Sequence, residues 1–188
     1  MGKVKTIIVT TVALTVICVV ATVALALTNQ LTSKKIAEVA LNAEKEAMNR
    51  VISAAQFKKG TVAVGDDIVY YDAYDNDGNL IGNIFTTSAH GYGGEVKVMT
   101  GIGTDGKIIA IEVLSVDDET PGLGQNAGKS SFWEAFKGKS GTIAIVKGEP
   151  KDGEIKALTG ATITSNAVRD AVNKALDARE LIIGEAEN

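Results

Sequence analysis

The chain has 188 residues, of which 45% are hydrophobic and 22% charged, and it carries a net charge of −4. This length suffices for one domain with its own core beside an N-terminal apolar segment. An acidic balance without basic clusters argues against nucleic acid as a partner. The single cysteine, Cys18, and the single histidine, His90, exclude disulfide frameworks, thiolate metal sites and histidine clusters, so no metal site is predicted.

An uncharged run over residues 6–28 consists mostly of valine, alanine, leucine, isoleucine and threonine. At about 1.5 Å per residue, a helix of this length crosses the ~30 Å hydrocarbon core of a bilayer. We therefore predict one transmembrane helix behind a cytoplasmic tail, residues 1–5. A cleaved signal peptide is the competing interpretation, but the run is longer than a usual apolar signal region and no small-x-small cleavage site ends it clearly. The flanking lysines, two on each side, favour a cytoplasmic N-terminus only slightly.

Residues 29–58 are predicted to form an amphipathic stalk helix, because apolar positions recur at helical spacing from residue 32 to about residue 55. This narrow, alanine-rich stripe packs on the following domain or on a neighbouring subunit, whereas a solvated linker helix fits the pattern equally well. Pilins also have a transmembrane helix that continues into an amphipathic helix and a β-rich domain. A pilin, however, carries a glutamate shortly after its processing site, and the first acidic residue here is Glu38. The stripe comprises Ile36, Val39, Ala40, Ala43, Ala47, Val51 and Ala54.

Between residues 61 and 116 the pattern changes to strands. Apolar runs flank the turn Asp75–Asn79 and a second turn at 105–106, and one strand alternates polar with apolar residues. We predict a twisted antiparallel sheet with packed helices, an α+β fold. Asp75–Asn79 is similar to a calcium loop in composition, but Ala73 and Ile84 occupy its first-ligand and bidentate-glutamate positions, which excludes calcium.

Helices follow the sheet in the sequence. Ser131 and Glu134 form a predicted capping box for a short helix whose aromatic residues belong to the core and which ends near Gly138. A further strand is predicted at 143–146, and a helix with apolar spacing at 166–181 closes the domain.

The titratable residues between these elements form no catalytic constellation. His90 stands beside a glycine turn without a second base or nucleophile near it in sequence, so it is interpreted as a surface or hydrogen-bonding residue. Asp117, Asp118 and Glu119 are adjacent, and nothing in the sequence fixes them together, so sequence physics alone predicts a solvated loop. No catalytic residue is predicted.

The stretch 158–168 has the composition of a helix start. Thr164 or Ser165 can cap the helix, which leaves the hydroxyl of Thr162 just upstream, near the first backbone N–H groups that favour an anion. Gly160 and the alanine after it allow a large group to approach the backbone. A glycine turn followed by an ordinary capped helix explains the same residues.

Thr159-Gly160-Ala161-Thr162, followed by Ile163-Thr164-Ser165, resembles the flavinylation motif of the FMN-binding domain family. This family includes the G subunit of Rnf complexes and the C subunit of sodium-pumping NADH:quinone reductases. The resemblance implies that a flavin transferase joins FMN through its phosphate to the hydroxyl of Thr162, the last threonine of the motif. It also implies that residues 59–188 form an FMN-binding domain on the extracytoplasmic side of the membrane.

A second stretch, Glu119-Thr120-Pro121-Gly122-Leu123-Gly124, matches the loop that this family places beside the flavin ring. Proline stiffens such a loop and its glycines expose backbone groups that can hydrogen-bond the ring, while Leu123 covers the face of the ring. The resemblance gives Glu119 the role of orienting the loop rather than transferring protons. Two positions depart from the family pattern, because Lys156 replaces an aspartate thought to help the transferase recognise its substrate and Asp117 replaces a frequent histidine.

These features together predict a single-pass flavoprotein subunit of the cell membrane. In this interpretation covalent FMN relays electrons within an Rnf-type ion-translocating ferredoxin:NAD+ oxidoreductase, beside other membrane and redox subunits. The predicted span contains no charged residue, so ion transport is expected to need those partners. The alternatives are a free-standing extracellular flavin reductase and a pilin-like structural protein without cofactor.

Overall fold

The computed structural model describes residues 2–64 and 66–186. These residues form two compact units, which divide between Lys45 and Glu46. The first unit consists only of helix, and the strands that the structure describes all lie in the second, which also holds the later helices. This arrangement confirms the predicted α+β class with an N-terminal helical segment.

Helix α1, Gly2–Val51, is continuous. Its segment Lys5–Ser33 is long and apolar enough to cross a membrane, in agreement with the uncharged run at 6–28. Threonine hydroxyls along this segment donate to backbone carbonyls one turn earlier, as Thr22 does to Cys18 at 2.8 Å. Their polar groups are therefore satisfied within the helix itself.

A five-stranded antiparallel meander is the centre of the second unit. The carboxylate of Asp75 closes one predicted hairpin turn by accepting the backbone N–H groups of Asp77 and Asn79 at 2.9 and 2.8 Å. The apolar positions before this turn belong to two strands. In chain order and in sheet order alike, the strands are β1 (Gln56–Val64), β2 (Asp66–Tyr74), β3 (Leu80–His90), β4 (Glu95–Gly103) and β5 (Ile108–Ser115).

The last turn of α1 packs on one face of this sheet. Helix α1 ends at Val51, not near residue 55 as its apolar spacing predicts, because the chain turns into the sheet and the N–H of Ala55 donates to the carbonyl of Tyr74 at 2.8 Å. Arg50 adds a two-pronged ion pair to Glu112 on β5, with N···O distances of 2.9 and 2.6 Å. The buried cluster on this face contains Ala47, Met48, Val51, Ile52, Ala73, Ile84 and Met99.

The segments after the sheet differ from the prediction in three places. The short helix begins at Ser130, and Lys129 takes the N-cap position without a side-chain cap, so the predicted capping box is wrong. The N–H of Phe132 bonds the carbonyl of Lys129 at 3.0 Å and sets this first turn one residue earlier. A strand that the sequence did not indicate pairs in parallel with the predicted one, and the final helix begins earlier than residue 166. These elements are α2 (Ser130–Trp133), β6 (Ala144–Val146), β7 (Glu154–Lys156) and α3 (Thr162–Ala186).

Helix α3 covers the other face of the sheet and completes the main core. Its buried positions Val168 and Val172 recur at helical spacing and belong to one cluster with Phe85 of β3. The hydroxyl of Thr87 on β3 donates to the carbonyl of Ala171 at 2.7 Å, which fixes the helix along the strand. This bond and the shared core fix the middle of α3 against the sheet.

Candidate functional site

A cavity of about 530 Å³ opens where the start of α3, the loop after β5 and the turn between β3 and β4 meet. Eight of the eleven residues that the sequence predicts for the cofactor line it, whereas Thr159, Gly122 and Ser165 do not. Two further lining residues were not predicted, Tyr92 and Ile163. The full lining is Tyr92, Glu119, Thr120, Leu123, Gly124, Gly160, Ala161, Thr162, Ile163 and Thr164.

Helix α3 begins at Thr162, so neither Thr164 nor Ser165 is its N-cap and the predicted start at residue 166 is wrong. The carbonyl of Ala161 accepts the N–H of Ser165 at 3.0 Å, which closes the first helical turn four residues earlier than predicted. The buried hydroxyl of Ser165 donates to the same carbonyl at 2.9 Å and accepts the N–H of Leu158 at 2.9 Å. Ser165 therefore stabilises the turn that precedes the helix and does not line the cavity.

A tight turn from Leu158 to Ala161 precedes Thr162, the first residue of α3. The N–H of Ala161 donates to the carbonyl of Leu158 at 3.0 Å, and Gly160 has a φ of +76°, a left-handed conformation that favours glycine. Thr162 is half-buried in the first turn of α3. The first N–H groups of a helix lack intrahelical partners, so the hydroxyl of Thr162 lies where an anionic group is stabilised.

Glu119 joins the three chain segments that form the cavity. Its side chain is only 3% exposed, which shows that the solvated-loop interpretation is wrong for Glu119 although it holds for its exposed neighbours Asp117 and Asp118. One carboxylate oxygen accepts the hydroxyl of Thr164 at 2.5 Å, and the other accepts the N–H groups of Tyr92 and Gly93 at 2.8 and 3.0 Å. These bonds connect the loop after β5 to α3 and to the β3–β4 turn.

Two opposing effects set the ionisation of Glu119. Burial raises its pKa, but the hydrogen bonds from Thr164 and from the backbone of Gly93, Tyr92 and Gly94 outweigh burial, so the pKa lies below the usual 4.5. The carboxylate is therefore charged at neutral pH. A charged acceptor strengthens each of the hydrogen bonds that hold the three segments together.

A pH dependence of stability follows from this lowered pKa. The contribution of ionised Glu119 is complete above the unfolded-state pKa, near 4.5, and is lost as the pH falls through the lower folded-state pKa. We expect the stability gap between the wild type and Glu119→Gln to narrow once the pH falls below 4.5. Thermal unfolding, followed by the emission of the single tryptophan, Trp133, measures this gap. A gap that stays constant down to strongly acidic pH would show that Glu119 is not ionised in the folded protein.

The loop from Thr120 to Leu123 is preorganised by its own turn. The N–H of Leu123 donates to the carbonyl of Thr120 at 3.1 Å, and Pro121 followed by Gly122, with a φ of +76°, has the features of a type II turn. The side chain of Asn126 donates to the carbonyl of Gly122 at 2.6 Å. Leu123 remains 42% exposed at the cavity, so the loop is fixed without that side chain being buried.

The turn between β3 and β4 is the part of the site that sequence reasoning missed. A Cβ atom on Gly93 would lie only 1.8 Å from the carbonyl oxygen of Asp118, so no larger residue fits against the loop there. Tyr92 extends from this turn and is 69% exposed. An aromatic residue between glycines in a predicted hairpin turn was the available signal. His90 lies at the end of β3 and is exposed.

Two family models and several known proteins match this chain. Residues 91–177 match the family model described as FMN-binding domain, and residues 1–51 match the model described as RnfG N-terminal region. The G subunit of the Na+-translocating ferredoxin:NAD+ oxidoreductase complex of Acetobacterium woodii is 38% identical over 182 residues, which cover 86% of this chain and 86% of that protein. The chain belongs to the family of G subunits of ion-translocating oxidoreductase complexes.

Other members of this G-subunit family show the same extent of similarity. The G subunit of the proton-translocating ferredoxin:NAD+ oxidoreductase complex of Clostridium ljungdahlii is 32% identical over 166 residues, covering 87% of this chain and 86% of that protein. The G subunit of the ion-translocating oxidoreductase complex of Methanosarcina acetivorans is 31% identical over 172 residues, covering 88% and 90%. The match therefore spans both the N-terminal helix and the domain with the cavity.

Two crystal structures resemble the fold of more than half of this chain. NqrC of Shewanella oneidensis has a TM-score of 0.53 at 24% identity, covering 57% of this chain and 54% of that chain. The C subunit of the Na+-translocating NADH-quinone reductase of Parabacteroides distasonis has a TM-score of 0.50 at 24% identity, covering 61% and 60%. At this level of identity the similarity establishes the fold alone.

Proposed function

We propose that this chain carries FMN as a phosphoester on Thr162 and relays electrons within an ion-translocating oxidoreductase complex of the Rnf type. The observation that carries the proposal is the position of Thr162. It lies in the first turn of α3 and lines one cavity with Glu119, Leu123 and Gly124 from the predicted flavin loop. The related G subunits bear the names of ferredoxin:NAD+ oxidoreductase complexes, which supports the electron-transfer role.

The residues of the cavity fit this cofactor chemically. The volume of about 530 Å³ is within the usual range for a small-molecule site. The start of α3 offers backbone N–H groups and a hydroxyl to a phosphate. The exposed side chains of Leu123 and Ile163 offer an apolar surface to a ring system. The cavity therefore offers groups that suit an anion and apolar side chains that suit a flat ring.

Attachment at Thr162 is a transfer of a flavin phosphate group to a hydroxyl. The bond that forms joins the hydroxyl oxygen of Thr162 to phosphorus, and the bond that breaks joins phosphorus to a leaving group on the donor, which takes up the hydroxyl proton directly or through water. An activated donor of the flavin dinucleotide class supplies that leaving group, and a flavin transferase positions it. None of the cavity residues is needed as a nucleophile other than Thr162.

In the mature protein, the residues of this chain would hold the cofactor rather than react. Bound FMN supplies the redox chemistry, because a flavin accepts and passes electrons one at a time. Glu119 fixes the loop and the turn on either side of the cavity through its three hydrogen bonds. The turn Thr120–Leu123 holds Leu123 at the cavity through its own backbone hydrogen bond.

The proposal places the domain outside the cytoplasm on a membrane anchor. The segment Lys5–Ser33, which is long and apolar enough to cross a membrane, is the proposed span, with the N-terminus in the cytoplasm. A phosphoester tether suits an outward-facing domain, from which a loosely held cofactor would be lost to the medium. Residues 6–28 contain no aspartate, glutamate, lysine, arginine or histidine, so partner membrane subunits have to provide the ion path.

Coexpression with a flavin transferase tests the proposal directly. The full chain is expected to show flavin fluorescence on a denaturing gel and a mass increase equal to one FMN less one water. Copurification with membrane subunits of a redox complex is expected when those subunits are coexpressed. A chain that acquires no flavin under conditions in which a known G subunit is modified would contradict the proposed function.

The departure at Lys156 gives a separate prediction. Lys156 is exposed on β7 and pairs with Glu149 at 3.0 Å, an ion pair that contributes little to stability because both side chains face solvent. Lys156→Asp is expected to leave the fold intact and to leave the rate of flavin attachment unchanged or raise it. Time-resolved gel fluorescence measures the rate, with the exposed Lys147→Asp as the matched charge change. A clear loss of attachment in Lys156→Asp alone would show that the lysine itself assists modification.

A further inference from the structure

Exposed apolar side chains are concentrated around the cavity. Beyond helix α1, six large apolar side chains in the described part of the chain are strongly exposed, and three of them line this cavity. Leaving such surface in water forgoes about 25 cal/mol for each Å² that burial would remove. Three separate chain segments contribute these three residues, so the concentration does not come from one apolar run. The six are Leu80, Tyr92, Leu123, Ile163, Leu181 and Ile183.

Tyr92 is the most exposed of the six, at 69%, although its backbone is firmly held. Its N–H donates to Glu119 at 2.8 Å, and the turn is closed by a bond from the N–H of Gly91 to the carbonyl of Gly94 at 2.7 Å. A Cβ atom on Gly91 would lie 2.2 Å from the carboxylate of Glu119. The turn thus packs so closely on Glu119 that the aromatic side chain is directed outward by a fixed backbone.

The other tyrosines show how unusual this exposure is. The ring of Tyr70 stacks on Phe85 with centroids 5.7 Å apart, and Tyr71 and Tyr74 are half-buried. In the part of the chain that the structure describes, Tyr92 is the only aromatic residue that lines the cavity. An aromatic ring in such a position is suited to stack on a flat conjugated ligand.

We propose that Tyr92 is a positioning residue on which the flavin ring lies, with Leu123 and Ile163 as the apolar contacts on its other sides. This inference rests on the proposed function, because Thr162, the proposed attachment point, lines the same cavity as these three side chains. The three residues come from the β3–β4 turn, the loop after β5 and α3. All three segments are joined through Glu119 and Thr164.

Flavin fluorescence in the native holoprotein tests the contact. A phenol that touches an excited flavin donates an electron to it and recovers that electron on return to the ground state, which quenches emission. Tyr92→Phe keeps an aromatic ring, but phenylalanine is much harder to oxidise than tyrosine, so the flavin fluorescence of this variant is expected to rise severalfold. In Tyr92→Trp the flavin emission is expected to stay as weak as in the wild type. In Tyr92→Ala the flavin emission should be strong, and iodide in solution should quench it more readily. Leu181→Ala, at an exposed position outside the cavity, is the control.

The outcomes separate the two proposals. Every variant is first checked for the covalent flavin on a denaturing gel, where stacking no longer contributes. If Tyr92→Phe carries the flavin and its native fluorescence equals that of the wild type, the contact with Tyr92 is disproved while the attachment at Thr162 stands. If the wild type carries no flavin, the proposed function fails first. Failure of Tyr92→Ala to fold would leave the Phe and Trp variants to decide.

Discussion

Thr162→Ala is expected to remove covalent flavin from the chain completely. Two hydroxyl-bearing residues of the first turn of α3 line the cavity, Thr162 and Thr164. Because the hydroxyl of Thr164 already donates to Glu119, Thr162→Ala deletes the one that is left for attachment. Thr162→Ser keeps the hydroxyl and should retain attachment, although the lost methyl group gives its side chain more rotational freedom. Gel fluorescence and intact mass after coexpression with a flavin transferase measure the result. Stability should change little, since Thr162 is only half-buried.

The matched control for this experiment is Thr104→Ala, an exposed threonine in the turn after β4. It should carry as much flavin as the wild type. Thr164 provides a second comparison, because its hydroxyl is buried and already committed to Glu119. Flavin that persists at full level in Thr162→Ala, or that disappears equally in Thr104→Ala, would overturn the assignment of the acceptor.

Glu119→Gln is expected to give the largest loss of stability among single substitutions that keep the shape of a side chain at this site. The amide oxygen can keep the N–H groups of Tyr92 and Gly93, but the NH₂ group then faces Thr164, and the buried Thr164 hydroxyl loses the carboxylate oxygen that accepts its proton. A buried donor left without an acceptor costs roughly 1–3 kcal/mol, and we expect a total loss of about 3 kcal/mol in the free energy of unfolding. Unfolding of the full chain in detergent, followed by tryptophan emission, measures this loss. Flavin attachment should fall with it.

Glu180→Gln, on the exposed face of α3, is the control for removing one negative charge. It should change stability by less than about 0.5 kcal/mol. Thr164→Val tests the partnership independently, because in the background of Glu119→Gln it should cost much less than in the wild type if the two side chains interact. Additive losses in the double variant would contradict the central role given to Glu119.

The elements with strong local patterns were predictable from the sequence. Helix α1 and the hairpin turn at Asp75–Asn79 follow from apolar spacing and turn composition, which act over a few residues. Element ends were less predictable, because contacts with distant residues decide them. Helix α1 ends where Ala55 bonds Tyr74, and α3 starts early because the carbonyl of Ala161 is already in place to accept Ser165. Strand β7 is too short to produce a periodic signal.

The candidate site also has a part that the sequence indicates and a part that only the fold determines. Two sequence motifs indicated eight of the residues that line the cavity, but only the fold brings the motifs together. Local reasoning made Glu119 a solvated acid, since its partners Tyr92 and Thr164 are 27 and 45 residues away in the chain. Tyr92 stood out locally only as an aromatic residue between glycines, and its place at the cavity depends on the same distant contacts. Burial of a charged group is a property of the tertiary structure, and the sequence near that group does not reveal it.

The contacts of Glu119 also imply an order of events during biosynthesis. Its hydrogen-bond partners lie on the β3–β4 turn and on α3, and α3 follows every other wall of the cavity in the chain. A ribosome has therefore to deliver α3 before the walls around Thr162 can assemble. Modification by a transferase that reads this shape would follow folding, and chains that end before α3 would lack both Thr162 and the last wall of the cavity.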